Sequence, residues 1–191
     1  MRTMMKERMN PNLATTPTRR QLLTGVAVAF GGLAAGSTTG WAQAAEEISH
    51  AAESIHQEPV INANRTRVYD ALTNARQFNE LTKIVAAKEP AISVEKSPTV
   101  ISPDVGGAFS LFGGIILGRH LELVPNTRIV QAWRVAYWDP GAYSIVRFEL
   151  VEHGTGTKIV FDHLGFPKGD AESLASGWKA HYWEPLATLL A

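Results

Sequence analysis

Five runs in the second half of the chain, at 107–112, 116–124, 128–137, 144–152 and 157–164, have the composition of short strands. Turn residues separate them: Gly113-Gly114, Pro125-Asn126, Asp139-Pro140-Gly141 and Gly154-Thr155-Gly156. Strands punctuated in this way predict an antiparallel meander. Val146, Phe148 and Leu150 alternate with Arg147 and Glu149, and Ile159 and Phe161 alternate with Lys158 and Asp162. One face of the sheet is therefore apolar and the other faces water. After Phe166-Pro167-Lys168-Gly169-Asp170 the period changes. Leu174, Trp178, Tyr182, Leu186 and Leu189 recur in steps of four or three, the stripe of an amphipathic helix. A sheet with one apolar face needs a cover, and this terminal helix supplies it.

Upstream, residues 55–62 alternate as a first strand. Asn64-Arg65-Thr66 provides an N-cap, because a short polar side chain accepts the orphan N–H groups of a first turn. Val68, Leu72 and Ala75 then follow at helical spacing, which predicts a helix over 66–75. Residues 78–84 read as a second short helix and 91–95 as a short strand. Pro103-Asp104-Val105-Gly106-Gly107 is a turn signal. Residues 45–54 form a polar lead-in, so the folded domain is expected over 55–191.

The first 44 residues read differently. Thr18-Arg19-Arg20-Gln21-Leu22-Leu23 opens an apolar run that ends near Ala35 and is interrupted by Gly25, Gly31 and Gly32. The run is shorter than the roughly 20 apolar residues of a membrane-spanning helix. Ala42-Gln43-Ala44 supplies the small-x-small pattern of a signal peptidase site, with cleavage expected between Ala44 and Ala45. The segment resembles a bacterial twin-arginine leader, with Arg19 and Arg20 as the arginine pair. It departs from that pattern at Thr24, where lysine is common. A periplasmic or otherwise exported location follows as an expectation. The twin-arginine translocase is the partner expected during export, and no stable membrane span is expected in the mature form.

Charge and composition narrow the function classes. Of 18 basic and 18 acidic residues, five basic and one acidic fall in 1–44, which leaves 45–191 with a net charge of −4. A mildly acidic domain lacks the basic footprint that nucleic acid requires. Cysteine is absent, so disulfides, thiol nucleophiles and thiolate metal sites are excluded.

Candidate chemistry is sparse. The histidines His50, His56, His120, His153, His163 and His181 form no close ligand pair, and no metal or cofactor is expected. No Gly-x-Ser-x-Gly elbow is present and no catalytic residue stands out. His163 shares a strand face with Ile159 and Phe161, so it belongs either to a cavity wall or to the core, hydrogen-bonded to backbone. Its neighbour Asp162 points to the opposite face. Trp178 and Tyr182 sit four apart and look at the sheet, as pocket lining or as ordinary core. Arg119, Arg134 and Arg147 lie on strands that also carry Glu122 and Glu149, which predicts cross-strand charge pairs on the wet face.

Several stretches of the mature chain are similar to the START-like, helix-grip superfamily. They are Arg67-Val68-Tyr69-Asp70-Ala71-Leu72-Thr73, Gly106-Gly107-Ala108-Phe109, Gly118-Arg119-His120-Leu121-Glu122-Leu123-Val124-Pro125, Arg128-Ile129-Val130-Gln131-Ala132-Trp133-Arg134, Gly156-Thr157-Lys158-Ile159, His163-Leu164-Gly165-Phe166-Pro167 and Gly177-Trp178. Their order resembles most closely the branch named after the activator of heat-shock protein 90 ATPase. The resemblance implies an α+β fold, with a curved antiparallel sheet packed around a long C-terminal helix. It departs near Phe78, where that branch usually carries a tryptophan. It also implies a cavity between sheet and helix, for which Phe109, Trp133, Phe148, Phe161, His163, Trp178 and Tyr182 are the candidate lining. A small hydrophobic or amphipathic ligand is the expected partner. A small cyclase or hydrolase using the same cavity through His163 is one alternative, and co-chaperone-like activation of the heat-shock protein 90 ATPase is another.

Overall fold

The computed structural model describes residues 53–92 and 97–191. The leader with Arg19 and Arg20, the Ala44–Ala45 junction and residues 45–52 lie outside the described residues. Among the described residues, no helix is long and apolar enough to cross a membrane.

The fold is α+β. Strands β1 (Glu53–Gln57) and β2 (Val60–Ile61) lead into helices α1 (Arg65–Thr73) and α2 (Ala75–Ala86). Strands β3 (Val100–Ile101), β4 (Ala108–Leu111), β5 (Ile116–Val124), β6 (Arg128–Val135), β7 (Ser144–His153) and β8 (Gly156–Phe166) follow. The chain ends in helix α3 (Ala171–Gly177), a π-helical turn (Trp178–Trp183) and helix α4 (Glu184–Leu190), which run on without a break. The eight strands form one antiparallel sheet in the order β1-β8-β7-β6-β5-β4-β3, with β2 also on β8. The curved sheet packs against the C-terminal helix in the expected helix-grip arrangement.

The two-residue period decides the faces. Along β6, Ile129, Gln131, Trp133 and Val135 are buried and their neighbours only partly so. Opposite pairs Val146↔His163, Phe148↔Phe161 and Leu150↔Ile159 stack across β7 and β8 on the same inner face. Phe109 lies over Gly118, its cross-strand partner. A Cβ at Gly118 would collide with the Phe109 ring, so only glycine admits this packing.

Several boundaries differ from expectation. The first strand starts at Glu53, inside the expected lead-in, where its carboxylate accepts the Gly169 N–H just ahead of the C-terminal helix. It is also split, because Glu58-Pro59 interrupts it before Val60. The helix expected to end at Ala75 stops at Thr73, since Asn74 turns extended and caps the next helix through its side chain, accepting from Arg76 N at 3.0 Å. Asn64 caps α1 as expected, accepting from Arg67 N at 3.0 Å. Replacing Asn74 by alanine removes that acceptor, and urea unfolding should report a loss of about 1 kcal/mol. Ala91 and Ile92 are turn and bend rather than strand, and 93–95 lie outside the described residues. Phe112 leaves the strand for a short 3-10 turn.

The wet face carries cross-strand charge pairs, but with a different arginine. Arg128 donates to Glu122 at 2.6 and 3.0 Å and to Glu149 at 3.5 Å. The register shift between His120 and Glu122 brings Glu122 beside this end of β6. Arg147 meets Asp162 at 2.6 Å, whereas Arg119 and Arg134 donate to backbone carbonyls. Such exposed pairs contribute little to stability.

Candidate functional site

One cavity of about 260 Å³ opens between the inner sheet face and the first half of the C-terminal helix. Ile116 and Val135, opposite each other on β5 and β6, form part of its sheet wall together with Trp133. Leu174, Gly177, Trp178, His181 and Tyr182 form its helix wall. Phe112, Ile115 and Ile92 close it from the side, and Glu89, Ala91, Tyr137 and Ser173 complete the lining among the described residues.

Two local features build this shape. The first is the π turn. Pro185 has no N–H with which to bond the preceding turn, and the wider winding accommodates that loss. It also lets Trp178, Tyr182 and Trp183 all bury. The second is Phe112, which is held at φ 51°, a left-handed conformation unusual for a bulky residue. Its ring stands edge-on to Phe78 and Tyr182, at centroid distances of 5.2 Å each. Packing at the cavity wall therefore maintains a strained backbone. Phe78 stands edge-on to both Phe112 and Tyr182, at 5.2 and 5.7 Å between ring centroids.

Of the seven aromatic and histidine residues expected to line a cavity, the structure places Trp133, Trp178 and Tyr182 on its wall. Phe109, Phe148, Phe161 and His163 are buried in the core outside the lining. Phe148 and Phe161 are cross-strand partners with rings 5.2 Å apart, and Phe161 packs 4.4 Å from Trp178, so the inward strand face here is filled by aromatic packing.

His163 is fully buried and bonded to side chains, where the core reading expected backbone. Trp178 donates its indole N–H to Nδ1 at 3.0 Å. Nδ1 is thus an acceptor, the proton sits on Nε2, and Nε2 donates to Ser144 Oγ at 2.7 Å. Ser144 in turn donates its O–H to the Trp133 carbonyl at 2.9 Å. Each member of the chain uses its donor. Burial pushes the imidazole down to about 3, and a second ring proton would face the Trp178 N–H. This neutral, sequestered histidine lies outside proton chemistry in the cavity. Asp162, on the other face as expected, bonds His56 at 2.8 Å and Arg147.

His120 is a second buried histidine, against Phe109, and neither ring nitrogen has a protein partner. Burial lowers its pKa. The alternation Ile116, Gly118, His120 along β5 could have flagged it.

At the rim, His181 and Glu89 join at 2.9 Å. Gly177 has ordinary helical geometry, and a Cβ there would meet only His181 Nδ1 at 3.7 Å. Alanine at 177 fits, loses less backbone entropy, and should raise stability by about 0.5–1 kcal/mol in urea unfolding.

A family model described as activator of Hsp90 ATPase homolog 1-like protein matches residues 62–191. The mouse activator of 90 kDa heat shock protein ATPase homolog 2 is 29% identical over 132 residues, 69% of this chain and 38% of its own length. The human homolog 1 is 26% identical over 105 residues, 55% of this chain and 31% of its own. The chain therefore spans less than two fifths of these relatives. The crystal structure of an HSP90 activator from Plasmodium falciparum has a TM-score of 0.62 at 24% identity, covering 72% of this chain and 95% of that one. That likeness concerns the fold.

Proposed function

The chain belongs to the activator of Hsp90 ATPase homolog 1-like family, and on that premise we propose that it is an exported domain that binds a small hydrophobic or amphipathic molecule. The observation that carries this reading is the cavity between sheet and C-terminal helix. Apolar walls with a few polar groups are the usual make-up of small-molecule sites. Native mass spectrometry of the full chain purified from its own cells tests it. Added mass from a small organic molecule is expected in the wild type and should be lost in Gly177→Leu, whose added side chain occupies space at the helix wall that Gly177 leaves free. Unliganded mass in every preparation would count against the reading.

Export rests on Arg19 and Arg20 before a short, weakly apolar run. Replacing both with lysine should leave the protein in the cytoplasmic fraction by immunoblot. Undiminished export of that variant would remove the twin-arginine assignment.

The second reading is co-chaperone-like activation, supported by the names of the mouse and human relatives. It predicts that the full chain raises the ATPase rate of a purified 90 kDa heat-shock chaperone. An unchanged rate would eliminate it. An exported domain would not meet a cytosolic chaperone, so the two readings also separate on location.

A further inference from the structure

We infer that the cavity recognises its ligand through a hydroxyl or N–H group that donates to His181 Nδ1 on the helix wall, an inference that deepens the ligand-binding reading above and rests on it. The observation behind it is the unequal use of the two ring nitrogens. His181 and Glu89 both line the cavity, and His181 Nε2 lies 2.9 Å from Glu89 Oε1. A carboxylate can only accept, so the ring proton sits on Nε2 and is donated to Glu89. In the neutral imidazole Nδ1 is then an acceptor. No group among the described residues donates to it.

This acceptor is within reach of a ligand. Trp133 Nε1 and Tyr182 Oη, elsewhere on the wall, are buried without a partner and closed off. His181 Nδ1 is not among such buried atoms, and 31% of the His181 side chain is exposed. Gly177, one turn earlier and also part of the lining, keeps the approach open. A Cβ at 177 would stand 3.7 Å from Nδ1 and meet no other atom among the described residues. Nδ1 therefore borders the space that the glycine leaves free.

The hydroxyls of Tyr137 and Ser173, on the same wall, donate or accept and so do not select between the two kinds of ligand. An imidazole whose one proton is held by Glu89 does select. A ligand O–H or N–H gains a hydrogen bond at Nδ1, and a ligand offering only acceptors gains none there. The net worth of such a bond is about 1 kcal/mol, or roughly fivefold in affinity. Ile116, Val135 and Leu174 supply apolar wall for the rest of the ligand. An apolar cavity of roughly 150 Å³ takes benzene, so 260 Å³ suits a two-ring body.

Two probes, 2-naphthol and its methyl ether 2-methoxynaphthalene, share the two-ring body and differ in the donor. Both are titrated by calorimetry into the full chain and into His181→Phe at pH 8. The ratio of naphthol to ether affinity should be about fivefold higher in the wild type than in the variant. Nitrogen-15 spectra of the wild type give a second readout that needs no substitution. The His181 Nδ1 resonance should move upfield when 2-naphthol binds, as an acceptor nitrogen does on receiving a hydrogen bond, and hold its place with the ether. An equal affinity ratio in the two proteins overturns the inference. So does an Nδ1 resonance that responds alike to both probes. In either case, binding of the ether leaves the cavity reading standing. Failure of both probes to bind overturns both.

Discussion

Truncating Trp178 to alanine should destabilise the domain by about 3–5 kcal/mol, a large fraction of the stability of a domain this size. The indole is 2% exposed and sits at the centre of the aromatic core. Its ring lies 4.4 Å from Phe161, 5.9 Å from Phe148, 5.5 Å from Trp133 and 5.7 Å from Trp183. Removing it opens a void between sheet and helix that rigid β-strands close poorly. It also takes away the donor to His163 Nδ1, leaving a buried acceptor unmatched. Trp178→Phe separates the two effects, since it keeps most of the packing and loses the hydrogen bond. Its expected cost in urea unfolding is smaller, about 1–3 kcal/mol. Equal stability of Trp178→Ala and the wild type would refute the packing described for the helix.

Acidification from pH 7 to pH 4 should cost about 3 kcal/mol through His163 alone. Folded, this group stays neutral down to about 3, while the unfolded chain takes up a proton near 6.5. The folded value is depressed, so the full stability is present above about pH 6.5. It is lost as pH falls toward 3, at about 1.4 kcal/mol per unit. His120, lowered by burial, acts in the same direction. His56 acts in the opposite one, because its hydrogen bond to Asp162 raises it, but it is fully exposed and solvent screens it. The carboxylates lowered by their partners, Glu58, Glu122 and Asp162, act in the same direction as His163 at the acid end of this range, beginning as pH falls through their ordinary values of 4.5 for glutamate and 3.8 for aspartate, but all three reach solvent, which screens them. In His163→Gln the amide can still accept from Trp178 and donate to Ser144 without titrating. Its stability should fall much less between pH 6.5 and 4, as read by urea midpoints. A slope equal to the wild type would remove His163 as the cause.

The sheet was legible in the sequence because one physical rule governs it. Residues two apart share a face, so Val146, Phe148 and Leu150 announce their burial directly. The strand over 116–124 was readable to the residue, bounded by Gly113-Gly114 and Pro125-Asn126. Asn126 at φ 60° shows why that turn uses asparagine. The stripe Leu174, Trp178, Tyr182 and Leu186 marked the terminal helix in the same way.

The cavity was legible only in part. Trp133, Trp178 and Tyr182 were recoverable from strand and helix phase. Which inward residues meet open volume depends on how far the helix stands from the sheet, and no local pattern encodes that distance. The π turn, the left-handed Phe112 and the side-chain-free Gly177 set it here. His163 shows the same limit. Its partners Ser144 and Trp178 are 19 and 15 residues away, and only the folded register brings them to its two nitrogens.

Titration calorimetry of 2-acetylnaphthalene, an uncharged two-ring aromatic probe, into the wild type and Gly177→Leu decides whether a ligand sits between sheet and C-terminal helix. The wild type should bind one equivalent, and Gly177→Leu, with an unfolding midpoint no lower than the wild type's, should bind at least about tenfold more weakly. Equal affinity in the two proteins would place binding elsewhere and contradict a ligand site between sheet and C-terminal helix.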